Sequence, residues 1–159
     1  MDVQPKEQEF KALIFRVGQE EYGVNINQVV SIERMQKITP YPNRQPHVLG
    51  VTTIRNVVTP IVDLRTALIG ESVDPDDGTR MIIVQVEQKE IGLVVDSATD
   101  VIDIARDTIQ HPNLMETKNV SFLEGVSKLD TRLIILLDIE KLLVDTTNLD
   151  DLRSMKDAL

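Results

Sequence analysis

The sequence contains no cysteine, which excludes disulfides, thiol nucleophiles, iron–sulfur clusters and every cysteine-based zinc site. Tryptophan is absent too, and aromatic residues make up 3% of the chain, leaving little on which to stack the bases of a single-stranded nucleic acid. Basic residues are the minority: 17 Lys and Arg against 26 Asp and Glu give a formal net charge of -9. Binding to nucleic acid or to an anionic membrane draws on basic surface and released counterions, so neither is an expected partner. No apolar run approaches the ~20 residues that a membrane-crossing helix needs, and direct membrane insertion is not expected. The opening Met1-Asp2-Val3-Gln4-Pro5-Lys6-Glu7 has neither the basic start nor the apolar stretch of a signal peptide, so the expected location is the cytoplasm.

Signatures of catalysis are missing as well. No phosphate-binding glycine loop, dinucleotide fingerprint, nucleophile elbow or H-E-x-x-H pattern occurs in the chain, and each of these depends on its spacing to bring reactive groups together. His47 and His111 each stand beside a proline with no second imidazole at ligand spacing. Both read as loop residues rather than as a catalytic base, which needs converging partners. Asp74-Pro75-Asp76-Asp77-Gly78 begins like a calcium loop, but the position that requires a bidentate Glu is Gln85, and turn chemistry already accounts for the acids. Asn119-Val120-Ser121 fits a glycosylation acceptor, a three-residue pattern common by chance. The expectation is therefore no catalytic residue, no metal and no cofactor.

What the chain does have is β-branched residues. Val and Ile supply 35 of its 159 positions, and their stiff χ1 suits a pleated surface better than a helix. Residues 1–10 are polar and without period, an expected flexible lead-in. Ala12 to Val17, a Gly18-Gln19 turn, and the alternating Tyr22 to Ile26 predict a hairpin,. Val29 to Ile32 is open between a strand and a helical turn. Pro40, Pro42 and Pro46 mark an irregular loop, because each removes a backbone donor. Val48–Val51, Val57-Val58 and Ile61–Leu64 read as short strands, and Thr66–Ile69 as one helical turn ended by Gly70. The acidic stretch from Glu71 to Gly78 reads as a solvated linker. In the tail, 145–159, Leu149, Leu152 and Met155 fall at helical spacing.

The second half repeats the first. At an offset of 69, Ile14-Phe15-Arg16-Val17 falls on Ile83-Val84-Gln85-Val86, and Glu21-Tyr22-Gly23-Val24 on Glu90-Ile91-Gly92-Leu93. Ile26 falls on Val95 and Ile32 on Val101 at the same offset, and Pro42-Asn43 on Pro112-Asn113 at 70. At 75, Val48-Leu49-Gly50-Val51 falls on Leu123-Glu124-Gly125-Val126, and Ile61-Val62-Asp63-Leu64 on Leu136-Leu137-Asp138-Ile139. Order is kept and the drift lies in loops, so the chain reads as two copies of one small β unit, about 11–69 and 80–144. Gly23 and Gly92 occupy one place inside a strand, where glycine marks a bulge or bend. Asp63 and Asp138 occupy another, where a shared role as helix caps is expected. The fold class expected is mainly β, with two small five-stranded barrels packed together, since curling removes open sheet edges. Whether strands are exchanged between the barrels is left open.

The order Tyr22-Gly23-Val24-x-Ile26, Gly50-Val51-x-x-Ile54-Arg55, Val57-Val58-x-Pro60-Ile61-Val62-Asp63-Leu64-Arg65, Gly92-Leu93-Val94-Val95-Asp96 and Leu133 to Asp138 resembles the CheW family of bacterial chemotaxis coupling proteins, from Lys11 to Val144. The resemblance implies two barrels of the OB/SH3 type around a shared apolar interior, and a non-catalytic scaffold, monomeric in isolation. Its implied partners are the cytoplasmic tips of chemoreceptors and the regulatory domain of the histidine kinase CheA, with recruitment to membrane-associated receptor arrays. Carried over position by position, Val29, Ser31, Leu49, Arg55 and Leu114 would face the kinase, and Val30, Ile32, Val95 and Val101 would line a receptor groove. Two departures stand out: Thr53-Ile54-Arg55-Asn56 replaces the usual Asn-Leu-Arg-Gly, and Ser31 replaces a frequent acidic residue. Asn tolerates positive φ, so the turn is expected to survive. Three alternatives remain open: an adaptor of a non-chemotactic receptor–kinase pathway, a coupling protein of the kind that carries a receiver domain (disfavoured by the short tail), and a small β-barrel enzyme.

Overall fold

The computed structural model describes residues 8–42, 47–70, 74–111 and 122–143. Leu114 and the tail lie outside them. The β-branched segments form strands β1 (Glu9–Val17), β2 (Glu20–Asn25), β3 (Val29–Arg34), β4 (Val48–Ile54), β5 (Val57–Asp63), β6 (Arg80–Val86), β7 (Lys89–Val95), β8 (Ser97–Ala105), β9 (Ile109–Gln110), β10 (Leu123–Leu129) and β11 (Arg132–Leu137). Two short helices, α1 (Leu64–Ile69) and α2 (Ile139–Leu143), follow β5 and β11. Val29 to Ile32 is thus strand. Glu9 and Phe10 belong to β1 rather than to a lead-in: they pair with Ala105 and Ile104, and Phe10 packs on apolar neighbours there.

The strands form two sheets, ordered β8-β1-β2-β11-β10-β9 and β3-β6-β7-β5-β4. Each sheet takes its strands from both copies of the repeat. In the first, β1 and β2 join β8, β10 and β11; in the second, β6 and β7 join β3, β4 and β5. Two parallel seams stitch the copies together, β11 on β2 and β5 on β7.

Closed barrels are not what the pairing shows. Among the described residues no ladder joins β8 to β10 or β3 to β4. Instead the chain itself crosses from one edge of each sheet to the other. From β8 it passes through a single 3-10 turn into β9, which pairs with β10. From β3 it runs to Thr39, which exchanges backbone hydrogen bonds of 2.8 and 2.9 Å with Val51 on β4. Edges covered in this way need no ladder to be protected.

Alternation along the strands sorts the side chains into three apolar clusters. The largest lies between the sheets and gathers Leu13, Phe15, Tyr22, Val24, Ile82, Val84, Leu93, Val95, Ile135 and Leu137, closed by Leu64 and Leu68 of α1 and Ile139 and Leu142 of α2. The other face of each sheet has a smaller cluster: Ala12, Ile14, Ile104, Ile134 and Leu136 on one, and Ile54, Ile61, Met81, Ile83 and Val94 on the other. Asp63 and Asp138 cap the helices as expected. Asp63 accepts the N–H groups of Arg65 and Thr66 at 3.0 and 3.4 Å, and Asp138 that of Lys141 at 3.1 Å.

Gly23 and Gly92 are fixed by space, not by a bend. A Cβ on Gly92 would stand 2.6 Å from Ile61 Cδ1, and one on Gly23 3.0 Å from Leu136 Cδ2, so each glycine makes room for the small cluster beneath it. Glycine bulges sit instead at Gly50 and Gly125, with φ of 148° and 144°, where the ladders to β5 and β11 slip by a residue, and the β1–β8 and β3–β6 ladders slip between Ile14 and Phe15 and between Val29 and Ser31.

Candidate functional site

The β4–β5 hairpin turns through two residues, Arg55 and Asn56, with φ of 49° and 67°. Positive φ at both central positions is the type I′ geometry that matches strand twist in a tight hairpin. Glu87-Gln88, between β6 and β7, does the same at 51° and 68°, so the turn rather than the arginine demands this backbone. Asn56 fills the place of the usual glycine without disrupting it.

The hairpin carries the Arg55 side chain out of the fold, 53% exposed. Its guanidinium reaches Glu90 at 4.0 Å, the outer limit of an ion pair, and contacts of this exposed kind are screened and weak. Glu90 Oε1 is buried with no hydrogen bond. The planar fork of Arg55 is therefore only weakly engaged within the fold, and a fork with donors to spare is the chemistry that enriches arginine at interfaces. Beside it Val57 and Val58 are 43% and 68% exposed. The sequence reading missed both as surface. The signal was there: two consecutive apolar residues on one strand point to opposite faces, so at a strand's end they cannot share one core.

The other positions carried over from the family scatter. Val29 packs on the central cluster, whereas Val30 and Leu49 pack on the small cluster of the second sheet. Ser31, next to Val30, has a buried hydroxyl without a partner. Leu49 stands six residues before Arg55 on β4, roughly 20 Å away along an extended strand, so the two do not form one contact point.

Of the four groove positions, Ile32 and Val101 are exposed, at 44% and 48%. They hold equivalent places on β3 and β8, each an edge strand of its sheet. Ile32 pairs with Ile82 and Val101 with Leu13, which puts both on the faces that look between the sheets. Val95 is a correction: it has no exposed surface and lies within the central cluster, because β7 is flanked on both sides by other strands. Val30 is a second, since it turns toward the opposite face of its sheet.

No group of three or more His, Asp or Glu side chains capable of holding a metal occurs among the described residues. Asp63 is spent on the α1 cap, and the His47 carbonyl accepts the Asp63 N–H at 2.9 Å. Asp76 accepts the Gly78 N–H at 2.8 Å in a local turn. Arg65 is 3% exposed and lies 3.5 Å from Asp63 and 3.6 Å from Asp96, whose second oxygen accepts the Gly18 N–H at 2.7 Å. This network, buried at Arg65 and Asp63 and reaching the surface at Asp96, ties α1 to the β7–β8 junction and to the β1–β2 turn. It gives the Asp63-Leu64-Arg65 motif a structural purpose: cap, core residue and interior ion pair.

Comparison with known proteins agrees with this geometry. The family model described as the CheW-like domain matches residues 11–147. The chain is 38% identical over 137 residues to a chemotaxis protein CheW of Klebsiella aerogenes, covering 86% of this chain and 81% of that protein. It is 35% identical over 134 residues to the chemotaxis protein CheW of Bacillus subtilis, covering 84% and 86%. Among solved structures, the scaffolding protein TtCheW from Thermoanaerobacter tengcongensis superposes with a TM-score of 0.72 at 28% identity, over 80% of this chain and 88% of that one.

Proposed function

We propose, from the premise that this chain belongs to the CheW family of non-catalytic chemotaxis scaffolds, that it couples chemoreceptors to the histidine kinase CheA. It works by being bound from two sides. The observation that carries the reading is the β4–β5 hairpin tip, where an under-used guanidinium stands beside two exposed valines. Aromatic or Arg anchors with apolar neighbours are what binding hot spots consist of. The kinase regulatory domain is assigned to this tip and to the β3 side of the second sheet, with Leu114 as a further contact on the other half of the chain. The receptor tip, a helical hairpin, is assigned to a cleft that this reading places between β3 and β8, where its apolar face would seat on Ile32 and Val101 by helix-in-groove packing. On this reading the protein works in the cytoplasm and is carried to receptor arrays by its partners. Each sheet, six-stranded in the first case and five-stranded in the second, is then read as an open relative of the small OB/SH3 barrel, with its edges joined by the crossing chain.

The test is ternary-complex assembly from purified receptor fragment, kinase and this chain. Arg55→Ala and Arg55→Glu are expected to lower complex yield, the charge reversal more than the truncation, with unchanged circular dichroism and thermal midpoint. Normal assembly by the folded Arg55→Glu variant would remove the tip from the kinase interface.

A further inference from the structure

The internal duplication allows each surface position to be compared with its twin. On the first sheet Lys11 of β1 lies directly opposite Asp103 of β8, and the two form an ion pair at 2.9 Å. The equivalent positions on the second sheet, at the offset of 69, are Arg80 of β6 and Arg34 of β3, and these are also directly opposite. One sheet neutralises the pair, and the other sets two cations face to face, an arrangement that destabilises an antiparallel ladder. The Arg80 guanidinium turns onto the carbonyls of Asp77 and Thr79, at 2.8 and 2.9 Å. Exposed Arg34 has no partner among the described residues. It stands two residues from Ile32 on the same strand, and therefore on the same face. In a chain of net charge -9, two adjacent unneutralised arginines beside an exposed isoleucine form a local exception.

We propose that Arg34, supported by Arg80, is a carboxylate-binding position at the end of the cleft. Its occupant is an acidic amphipathic helix of a partner protein that lays an apolar side chain on Ile32 and a Glu or Asp on Arg34. The assignment rests on the cleft being the receptor-binding surface and adds the chemistry of the bound segment. An arginine fork holds a carboxylate through two parallel hydrogen bonds. Such a rim contact acts mainly on the association rate and its salt dependence.

Arg34→Asp tests this, because it recreates opposite Arg80 the charge pattern of the twin position. Binding of a soluble chemoreceptor cytoplasmic hairpin is measured by surface plasmon resonance alongside the thermal midpoint, with Ile32→Ser for comparison. Arg34→Asp is expected to keep or raise the midpoint while weakening binding about tenfold at low salt, mostly through slower association. The gap to the wild-type chain should close at about 0.5 M salt, where screening is nearly complete. Ile32→Ser should weaken binding at every salt concentration. If Arg34→Asp binds like wild type while Ile32→Ser is impaired, the arginine serves only to blunt an edge strand and the proposal falls with the cleft assignment intact. If both variants bind like wild type, the cleft assignment falls with it.

Discussion

Glu124, near the start of β10, is partly buried, and burial first, then the neighbouring charge of Asp138, pushes its carboxyl above the ordinary 4.5. Arg106 and Lys141 pull it back in part. A carboxyl whose folded value is raised favours folding while protonated. That contribution is present at low pH and is lost as pH rises through the folded value, so at neutral pH the ionised group opposes folding. Glu124→Gln is therefore expected to raise the thermal midpoint at pH 7, with the gain shrinking as pH falls through the carboxylate range. A lower midpoint at pH 7 would contradict the assignment. At this scale the sequence was partly legible. The caps Asp63 and Asp138 could be read because duplication placed both before a helical turn. The burial of Arg65 could not be, since its partner Asp96 comes from the other copy. Nor could the burial of Val95 between the sheets or the turn of Val30 to the other face: a repeat offset says which residues are equivalent, not which face each one takes.

The elements depend on how little space the small clusters leave. In the second sheet, Gly92 lies across the parallel seam from Ile61, and a methyl group there would come within 2.6 Å of Ile61 Cδ1 and 3.2 Å of Ile83 Cδ1. At Gly23 the nearest atoms are 3.0 and 3.3 Å away. Gly92→Ala should destabilise by about 1–3 kcal/mol, as overpacking does in a filled core, and Gly23→Ala by less. Urea unfolding of the two variants checks the order, and equal or reversed losses would refute this account of the seams. Hairpins and the helical turn at Gly70 were readable from turn residues and alternation. The two-residue β9 was not, because nothing local distinguishes it from loop, and it exists only because β10 offers it an edge.

For the whole molecule, duplication was readable and the partition of strands was not. Similar copies offer each edge two equivalent mates, so pattern alone cannot choose between pairing within a copy and pairing across copies. Pairing across copies puts the largest cluster between the sheets and makes both copies necessary to each. The result is a body in which β3, β8 and the β4–β5 hairpin tip present exposed apolar side chains, with arginines beside those of β3 and the tip. The CheW family to which the chain belongs is one of non-catalytic scaffolds, and on the proposed function such a body acts through the partners it holds. The most direct measurement is CheA autophosphorylation in the presence of receptor-containing membranes, with and without the purified chain. The account predicts receptor-controlled kinase activity only when the chain is present, and its loss with folded Arg55→Glu. Receptor control of the kinase that is indifferent to the chain would contradict it.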